Sequence, residues 1–305
     1  MKIAIAGAGA MGCRFGFMLM DAGEDVTLID GWQEHIEAIC KKGLFVETET
    51  TQKYYPIPAV MADDAQGPFD VVILFTKAMQ MDAMLKSIAP VLASAKVVMT
   101  LSNGLGNIET LEKYVEKETI YAGVTLLSCE LEGPGHIRAT GTGNTELQPI
   151  ASHNAEMETH IIEMFNRAGL NAHISENVLL SIWKKAAFNS VMNTYCALLN
   201  CNVGEFGQLP MALELATLVV KEFVQVARSQ QIPLTEEMVL ETVRKVFDPR
   251  ESGHHYPSMH QDLQKGRLTE IDYLNGAIAR IGLANNIPVT ANLLLTKLIH
   301  AKENQ

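Results

Sequence analysis

With 305 residues, of which 48% are hydrophobic, the chain can bury a sizeable core, and its length predicts two domains. Its formal net charge of −11 argues against binding to a nucleic-acid backbone, because such binding needs clustered Lys and Arg. Its five cysteines are odd in number and lack C-x-x-C spacing, so we expect reduced thiols and neither a disulfide framework nor a metal site.

The opening residues predict a strand, a tight turn, a helix and a second strand. Residues 2–6 are apolar enough for a buried strand, residues 13–22 for a helix, and residues 26–29 for a strand that Asp30 ends. This start is too polar and too broken by glycine for a signal peptide, and no apolar run approaches the roughly 18 residues of a membrane helix. We therefore expect a soluble, cytoplasmic protein without a membrane partner.

The turn after the first strand has the pattern G-x-G-x-x-G. Its first glycine allows the turn, its second lets the backbone approach a pyrophosphate, and its third lets helix and strand pack closely. The N-terminus of the following helix favours an anion through its N–H groups and its dipole. Since an acid also follows 23 residues after the first glycine, the turn predicts a dinucleotide site made by Gly7, Ala8, Gly9, Ala10, Met11 and Gly12.

Asp30 bears on which dinucleotide is bound. A carboxylate at the end of the second strand accepts the hydroxyls of the adenosine ribose and repels a 2′-phosphate. The next cations along the chain are Lys41 and Lys42, so the sequence favours NAD(H), with NADP(H) as the alternative. Asp30 could also cap a helix that starts near Gln33, which would not conflict with a ribose role.

Two later strands are each followed by a polar residue. Residues 70–76 form a continuous apolar run typical of a strand buried on both faces, and Lys77 follows it; residues 97–101 form another, and Asn103 follows. Ligands gather beyond the carboxyl ends of strands in open α/β sheets, so both residues are candidates for the cofactor site. A solvated lysine at the start of a helix over residues 78–92, and an asparagine that only holds its turn before Gly104, are the alternatives.

The remaining pattern divides the chain near residue 175. Residues 33–42 predict a helix that ends at Gly43, and residues 44–48 and 54–60 are strand-like, although Pro56 and Pro58 make the second of these an edge strand or a loop. Residues 119–127, 135–140 and 145–150 predict an antiparallel extension of the sheet. A helix over residues 152–168 and a strand over residues 170–174 follow. From residue 175 onward only helical periodicity continues, with breaks at residues 202–207, 232–233, 248–256 and 286–288. We expect domains at residues 1–175 and 176–305.

The helix predicted over residues 177–200 carries a polar stripe. Lys185, Asn189 and Asn193 recur at i, i+4 and i+8 and so share one face of an otherwise apolar helix. An unpaired buried amide costs about 1–3 kcal/mol, so the stripe needs partners. Neighbouring helices or a ligand could supply them, and the sequence does not choose between the two.

A second polar region lies further along the chain. Thr269 and Asp272 resemble a capping box that opens a helix over residues 270–283. His254 and His255 lie in a loop flanked by Gly and Pro, where surface positions are expected.

Together these motifs resemble the ketopantoate reductase family. The resemblance rests on the G-x-G-x-x-G turn, on single residues in the same order, and on the segment Thr269-Glu270-Ile271-Asp272, and it runs from residue 1 to about residue 280. It implies a Rossmann-type dinucleotide-binding domain followed by an all-helical domain, with catalysis in the cleft between them. The single residues are Lys77, Asn103, Trp183, Lys185, Asn189, Asn193 and Ser258.

The resemblance also assigns roles. It implies that Lys185 is the general acid that protonates the 2-oxo oxygen, with Glu270 holding its orientation and charge. It places Asn103, Asn189, Asn193 and Ser258 at the substrate, and the glycine-rich turn and Lys77 at the cofactor. A positioned ammonium suits this reaction because hydride addition builds negative charge on oxygen.

Asp30 departs from the pattern of the family's ketopantoate reductases, which usually carry a basic residue there for NADPH. It favours the NAD-dependent D-2-hydroxyacid dehydrogenases of the family, mandelate-type enzymes among them. The expected activity is therefore reversible reduction of a branched or aromatic 2-oxo acid to the (R)-2-hydroxy acid. Ketopantoate reductase proper, a related 3-hydroxy acid dehydrogenase and a non-catalytic dinucleotide-binding protein are the alternatives. A homodimer through the apolar helical domain is also expected.

Overall fold

The computed structural model describes residues 1–151, 153–248 and 253–305, which form two compact units. The first unit comprises Met1–Ser102 and Asn107–Val178, and the second comprises Asn103–Gly106 and Leu179–Gln305. Within these ranges no helix is long and apolar enough to cross a membrane.

The first unit contains an eight-stranded mixed sheet and a separate four-stranded sheet. Its helices are α1 (Ala10–Asp21), α2 (Gln33–Lys42), α3 (Met81–Ser87), α4 (Ala89–Leu92), α5 (Asn107–Leu111) and α6 (Ala155–Arg167). Its strands are β1 (Lys2–Ala6), β2 (Asp25–Asp30), β3 (Leu44–Glu47), β4 (Gln52–Tyr55), β5 (Ala59–Met61), β6 (Val71–Leu74), β7 (Val97–Thr100), β8 (Ile120–Thr125), β9 (Ser128–Gly133), β10 (His136–Thr140), β11 (Thr145–Pro149) and β12 (Ala172–Ile174).

The strands of the large sheet lie in the order β12-β11-β8-β7-β6-β1-β2-β5. From β5 to β8 all neighbours are parallel, and β11 pairs antiparallel with β8. Numbered along the chain, the six parallel strands follow the Rossmann order 3-2-1-4-5-6, in which the order reverses between β1 and β6. Ligands of such sheets bind at this reversal, beyond the carboxyl ends of the strands.

Both faces of the large sheet are buried, which explains its continuous apolar strands. Ile3 and Ile5 of β1 belong to the core that includes Phe15 of α1, whereas Ala4 and Ala6 belong to the core that includes Leu85 of α3. Alternate residues of a strand point to opposite faces, so β1 must be apolar at every buried position.

The four-stranded sheet has the order β4-β3-β10-β9 and is tied to α1 by Arg14. The buried guanidinium of Arg14 donates to the carbonyl oxygens of Ser128, Thr140 (2.7 Å) and Gly141 (2.7 Å). Backbone carbonyls of β9 and β10 thus accept hydrogen bonds from a side chain of α1, the helix that follows the glycine-rich turn.

The structure corrects several predictions for the first unit. The expected antiparallel extension is wrong in part, because β8 continues the parallel sheet and β10 lies in the second sheet. The segment predicted over residues 54–60 is interrupted at Pro56 and Pro58, as expected, because proline lacks a backbone donor, and its ends belong to the edge strands β4 and β5. The helix predicted over residues 78–92 is a 3₁₀ turn (Ala78–Gln80) followed by α3 and α4, with Pro90 in the first turn of α4. The predicted start of α6 at Ser152 lies outside the described residues; Asn154 caps α6.

The second unit is helical, as predicted. Its core includes Trp183, Phe206 and Phe223, with the rings of Trp183 and Phe223 in an edge-on contact at 5.8 Å. Its helices are α7 (Val178–Leu199), α8 (Val203–Gly207), α9 (Ala212–Ser229), α10 (Glu236–Val246), α11 (Ser258–Gln264), α12 (Asn275–Ala284) and α13 (Thr290–Glu303), with a 3₁₀ turn at Ile271–Tyr273.

Two predictions for the second unit are wrong. The break expected over residues 202–207 contains α8, which a capping box between Asn202 and Glu205 starts. The capping box expected at Thr269 and Asp272 does not open α12: the Thr269 hydroxyl accepts from the N–H of Ile271, and the helix begins at Asn275. Part of the break expected over residues 248–256, namely 249–252, lies outside the described residues.

Candidate active site

The glycine-rich turn has the geometry of a pyrophosphate cradle. Gly7 has φ +97°, and a Cβ there would overlap the backbone of Thr76, which follows β6. A Cβ at Gly12 would overlap the carbonyl group of Gly7, whereas a Cβ at Gly9 would meet nothing within 4 Å. The turn is therefore closed against its own sheet at the first and third glycines and open at the second, where a ligand would approach.

The start of α1 suits an anion. The helix begins at Ala10 with Gly9 as N-cap, and no side chain caps its first turn. Uncapped N–H groups at a helix N-terminus are ready donors to phosphate oxygens, and the helix dipole adds to the attraction.

Asp30 ends β2, where a ribose would be expected. Its carboxylate accepts from the backbone N–H of Trp32 at 2.9 Å. Trp32 is the N-cap of α2 and that helix has no side-chain cap, so the alternative role of Asp30 as its cap is not observed. The half-buried carboxylate is held at the strand end.

His35, a buried histidine that no sequence motif marks, lies in the first turn of α2 beside the glycine-rich turn. His35 is 0% exposed, its Nδ1 accepts from the N–H of Gly135 at 3.0 Å, and its ring stacks on Trp32 at 5.2 Å. Burial lowers its pKa, while Asp30 and a hydrogen bond to the Ala8 backbone raise it. The Cys13 thiol also donates to the Ala8 carbonyl at 3.0 Å. Two buried side chains thus fix Ala8 of the glycine-rich turn.

Lys77 is half-buried and lies three residues past the end of β6, as N-cap of the following 3₁₀ turn. It is therefore at the carboxyl edge of the sheet, where its role at the cofactor stays a prediction.

The polar stripe of α7 is present in the second unit. Asn193 is 7% exposed and its amide donates to the Ser258 hydroxyl of α11 at 3.5 Å. Asn189 is half-buried, and its amide has no hydrogen-bond partner within residues 1–151, 153–248 and 253–305. Ser258 itself is exposed.

A different face of α7 carries Ser190 and Thr194, whose groups pair in part with neighbouring helices. The Thr194 hydroxyl donates to Asn275 at 2.8 Å, and the Asn275 amide donates to the Ser190 carbonyl at 3.2 Å and to Asn292 at 3.0 Å. Neighbouring helices therefore pair the Thr194 hydroxyl, whereas the buried Ser190 hydroxyl has no partner among the described residues. On the face that carries Lys185, Asn193 is paired with Ser258.

Lys185 is half-buried, and burial lowers its pKa to about 8. Glu270 opposes this effect by raising the pKa of Lys185. An amine with a pKa of about 8 is mostly protonated at neutral pH, but it gives up its proton more easily than a solvated lysine does. Lys185 could therefore donate a proton, and the charge of Glu270 favours its protonated form.

Asn103 belongs to the helical unit by its contacts, although it follows β7 in the chain. Leu105 is part of the helical core, and its N–H donates to the carbonyl of Tyr273 at 2.8 Å. Gly104 has φ +87°, and a Cβ there would lie 2.7 Å from the Cβ and the carbonyl oxygen of Tyr273. The loop Asn103–Gly106 therefore packs beside the segment that contains Glu270.

The remaining features considered in the sequence are two histidines, the cysteines and possible metal ligands. His254 and His255 are exposed, as expected for surface residues. All five cysteines are free. Among the described residues no group of three or more His, Cys, Asp and Glu side chains could hold a metal ion.

Comparisons with known proteins agree with this architecture. Residues 3–152 match the family model Ketopantoate reductase PanE/ApbA, and residues 177–303 match its C-terminal model. A 2-dehydropantoate 2-reductase of Lactococcus lactis is 42% identical over 306 residues, with 99% of this chain and 98% of that protein covered. A 2-dehydropantoate 2-reductase of Pyrococcus horikoshii is 34% identical over 304 residues, with 100% and 98% covered.

Among solved structures, a D-mandelate dehydrogenase with NADH and anilino(oxo)acetate has a TM-score of 0.97 to this chain. It is 42% identical, and the match covers 100% of this chain and 99% of that one.

Proposed function

Because the chain belongs to the ketopantoate reductase family of oxidoreductases, we propose that it reversibly reduces a branched or aromatic 2-oxo acid to the (R)-2-hydroxy acid with NADH. The observation that carries this proposal is Lys185, a half-buried amine with a pKa of about 8 whose charged form Glu270 favours, on the helix face that also presents Asn189 and Asn193.

In this proposal the first unit binds the cofactor. The open position at Gly9 and the uncapped start of α1 would take the pyrophosphate, and the Asp30 carboxylate would accept the ribose hydroxyls. When bound, NADH supplies a hydride to C2 of the substrate. Lys77 and Asn103 are the further residues that we assign to the cofactor.

The helical unit supplies the proton and binds the substrate. As hydride addition makes C2 tetrahedral, the 2-oxo oxygen gains negative charge, which the Lys185 ammonium stabilises before it donates its proton there. Glu270 keeps the amine charged before reaction. Asn103, Asn189, Asn193 and Ser258 donate hydrogen bonds that would orient the carboxylate and the carbonyl group.

NADH rather than NADPH is supported by Asp30 and by the D-mandelate dehydrogenase neighbour, whose structure contains NADH. An aromatic substrate is supported by the same neighbour, a D-mandelate dehydrogenase whose structure contains anilino(oxo)acetate. Ketopantoate reductase proper is the second candidate, because the curated relatives from Lactococcus lactis and Pyrococcus horikoshii carry that name.

A substrate screen separates these candidates. Initial rates with ketopantoate, 2-oxoisovalerate and benzoylformate are measured with NADH and with NADPH. We expect the highest kcat/KM with NADH and benzoylformate or 2-oxoisovalerate. A preference for ketopantoate with NADPH would support the second candidate instead, and NADH binding without turnover of any 2-oxo acid would indicate a non-catalytic protein.

A further inference from the structure

The segment at residues 269–273, which carries Glu270, is bound by the last turn of α13. Glu303 accepts from the backbone N–H of Thr269 at 2.8 Å, and the side chain of Glu303 is only 6% exposed. Burial raises the pKa of Glu303, but hydrogen bonds from the N–H and hydroxyl of Thr269 and from His300 outweigh it and lower the pKa overall. A charged carboxylate therefore holds the residue directly before Glu270.

His300 binds the same segment at a second point. Its Nδ1 lies 2.8 Å from Glu303 and its Nε2 lies 3.1 Å from Asp272. A neutral imidazole can donate from one nitrogen only, so donation to both carboxylates requires the charged ring. Hydrogen bonding to Glu303 raises the pKa of His300 despite the opposing effect of burial, and Asp272 raises it further.

The far end of the segment is fixed as well. The carbonyl of Asp272 accepts from the Arg280 guanidinium at 2.8 Å, and the carbonyl of Tyr273 accepts from Leu105 at 2.8 Å. Backbone or side-chain bonds thus hold residues on both sides of Glu270. These bonds hold the backbone that carries the Glu270 carboxylate. The effect of this carboxylate on Lys185 depends on the distance between the two charges.

We propose that Glu303 and His300 are positioning residues that set the location of Glu270 and, through it, the proton affinity of Lys185. The inference rests on the proposed function in that Lys185 is taken as the proton donor. Neither residue touches the substrate in this account. Their effect reaches the amine through the backbone of residues 269–273.

The test replaces Glu303 in the full-length protein and measures Lys185 directly. Glu303→Ala removes both the acceptor for Thr269 and the partner of His300, whereas Glu303→Gln keeps an amide oxygen for Thr269. Lys297→Ala, at an exposed position of the same helix, is the control. The pKa of the Lys185 amine is read from its rate of acetylation by acetic anhydride against pH, with mass spectrometry of the modified peptide. This readout needs no turnover.

We expect Glu303→Ala to lower the pKa of Lys185 by about 0.5 to 1 pH unit, because the segment that positions the Glu270 charge is no longer held in place. The value of kcat should fall by about tenfold, with the KM for NADH unchanged. Glu303→Gln should recover part of both effects, and Lys297→Ala should match the unchanged protein.

An unaltered Lys185 pKa in a folded Glu303→Ala variant would overturn the inference, even if no 2-oxo acid were turned over by any form of the protein. If Glu303→Ala fails to fold, His300→Gln is measured in its place, and an unaltered Lys185 pKa there has the same meaning. The proposed function fails by a different result, namely turnover that survives Lys185→Ala.

Discussion

The backbone N–H of Leu105 donates to the carbonyl oxygen of Tyr273 at 2.8 Å. This bond joins the loop that carries Asn103 to the segment that carries Glu270. The contact thereby links the loop of a residue that we assign to substrate binding with the segment of the carboxylate that we pair with Lys185, and Gly104 lies next to it.

Gly104→Ala is expected to damage this contact. The new Cβ would lie 2.7 Å from atoms of Tyr273, and the residue would also keep an unfavourable φ of +87°. Backbone strain alone costs about 1–3 kcal/mol, and the clash adds to it. Gly106→Ala is the matched control, because its φ is +96° but its Cβ would meet nothing within 4 Å. Chemical denaturation and kcat should both show a clearly larger loss for Gly104→Ala; equal effects would mean that the Tyr273 contact is unimportant.

Lys185→Ala should abolish reduction while NADH still binds. General acid catalysis contributes about 10²- to 10⁴-fold, so kcat should fall by at least 10². Initial rates and NADH fluorescence titration measure the two properties separately. Lys184→Ala, next to it on α7, should keep near-normal rates. Near-normal turnover by Lys185→Ala would remove this residue from the proton-transfer role.

The pH dependence of kcat/KM, which reports groups of the free enzyme, should follow the charge of Lys185. Reduction needs the protonated amine, so its rate should fall as pH rises through about 8, and oxidation of the hydroxy acid, which needs the neutral amine, should rise over the same range. Because Glu270 raises this pKa, Glu270→Gln should move both limbs to lower pH. Profiles of kcat/KM against pH test this, and a profile that Glu270→Gln leaves in place would contradict the pairing.

Asp30→Arg should change cofactor preference. The arginine would lose the ribose acceptor and gain a partner for a 2′-phosphate, so kcat/KM should fall with NADH and rise with NADPH, each by about tenfold. Asp25→Arg, at the exposed start of the same strand, controls for the change in net charge. An unchanged ratio between the cofactors would show that Asp30 does not select them.

His35→Ala should weaken NADH binding. It removes the acceptor for Gly135 and the partner of the Ala8 backbone, and it leaves a cavity beside Trp32. We expect the Kd for NADH to rise by about threefold to tenfold, since each lost hydrogen bond contributes about 0.5–1.5 kcal/mol. His160→Ala, at an exposed position of α6, should leave the Kd unchanged. Isothermal titration calorimetry measures both, and equal Kd values would refute the support role.

The Rossmann order of the large sheet follows from features that the sequence displays. Its central strands are continuous apolar runs such as Val71–Leu74, and the glycine-rich turn marks where the chain reverses. Residues 44–48 and 135–140 predict two strands of the four-stranded sheet, but a separate sheet could not be predicted because its other two strands have little apolar signal. Gln52–Tyr55 is almost wholly exposed, and Ser128–Gly133 alternates between exposed and half-buried residues.

The candidate site also contains residues that the sequence pattern reveals and residues that it does not. Lys185, Asn189 and Asn193 could be recognised together because their spacing of four residues is local and repeats on one helix face. The hydrogen bond between Glu303 and Thr269 could not be predicted, because the two residues are 34 positions apart in the chain and no local pattern links them. The homodimer and the domain boundary near residue 175 stay predictions.

The membership of Asn103–Gly106 in the helical unit has a consequence for protein engineering. A chimaera that takes its dinucleotide-binding part from one relative and its helical part from another would ordinarily be joined near residue 178. Such a hybrid would inherit these four residues from the wrong parent. A successful exchange must transplant them as a separate insert together with the C-terminal portion, and a fragment truncated to the helices alone would lack a piece of its own core.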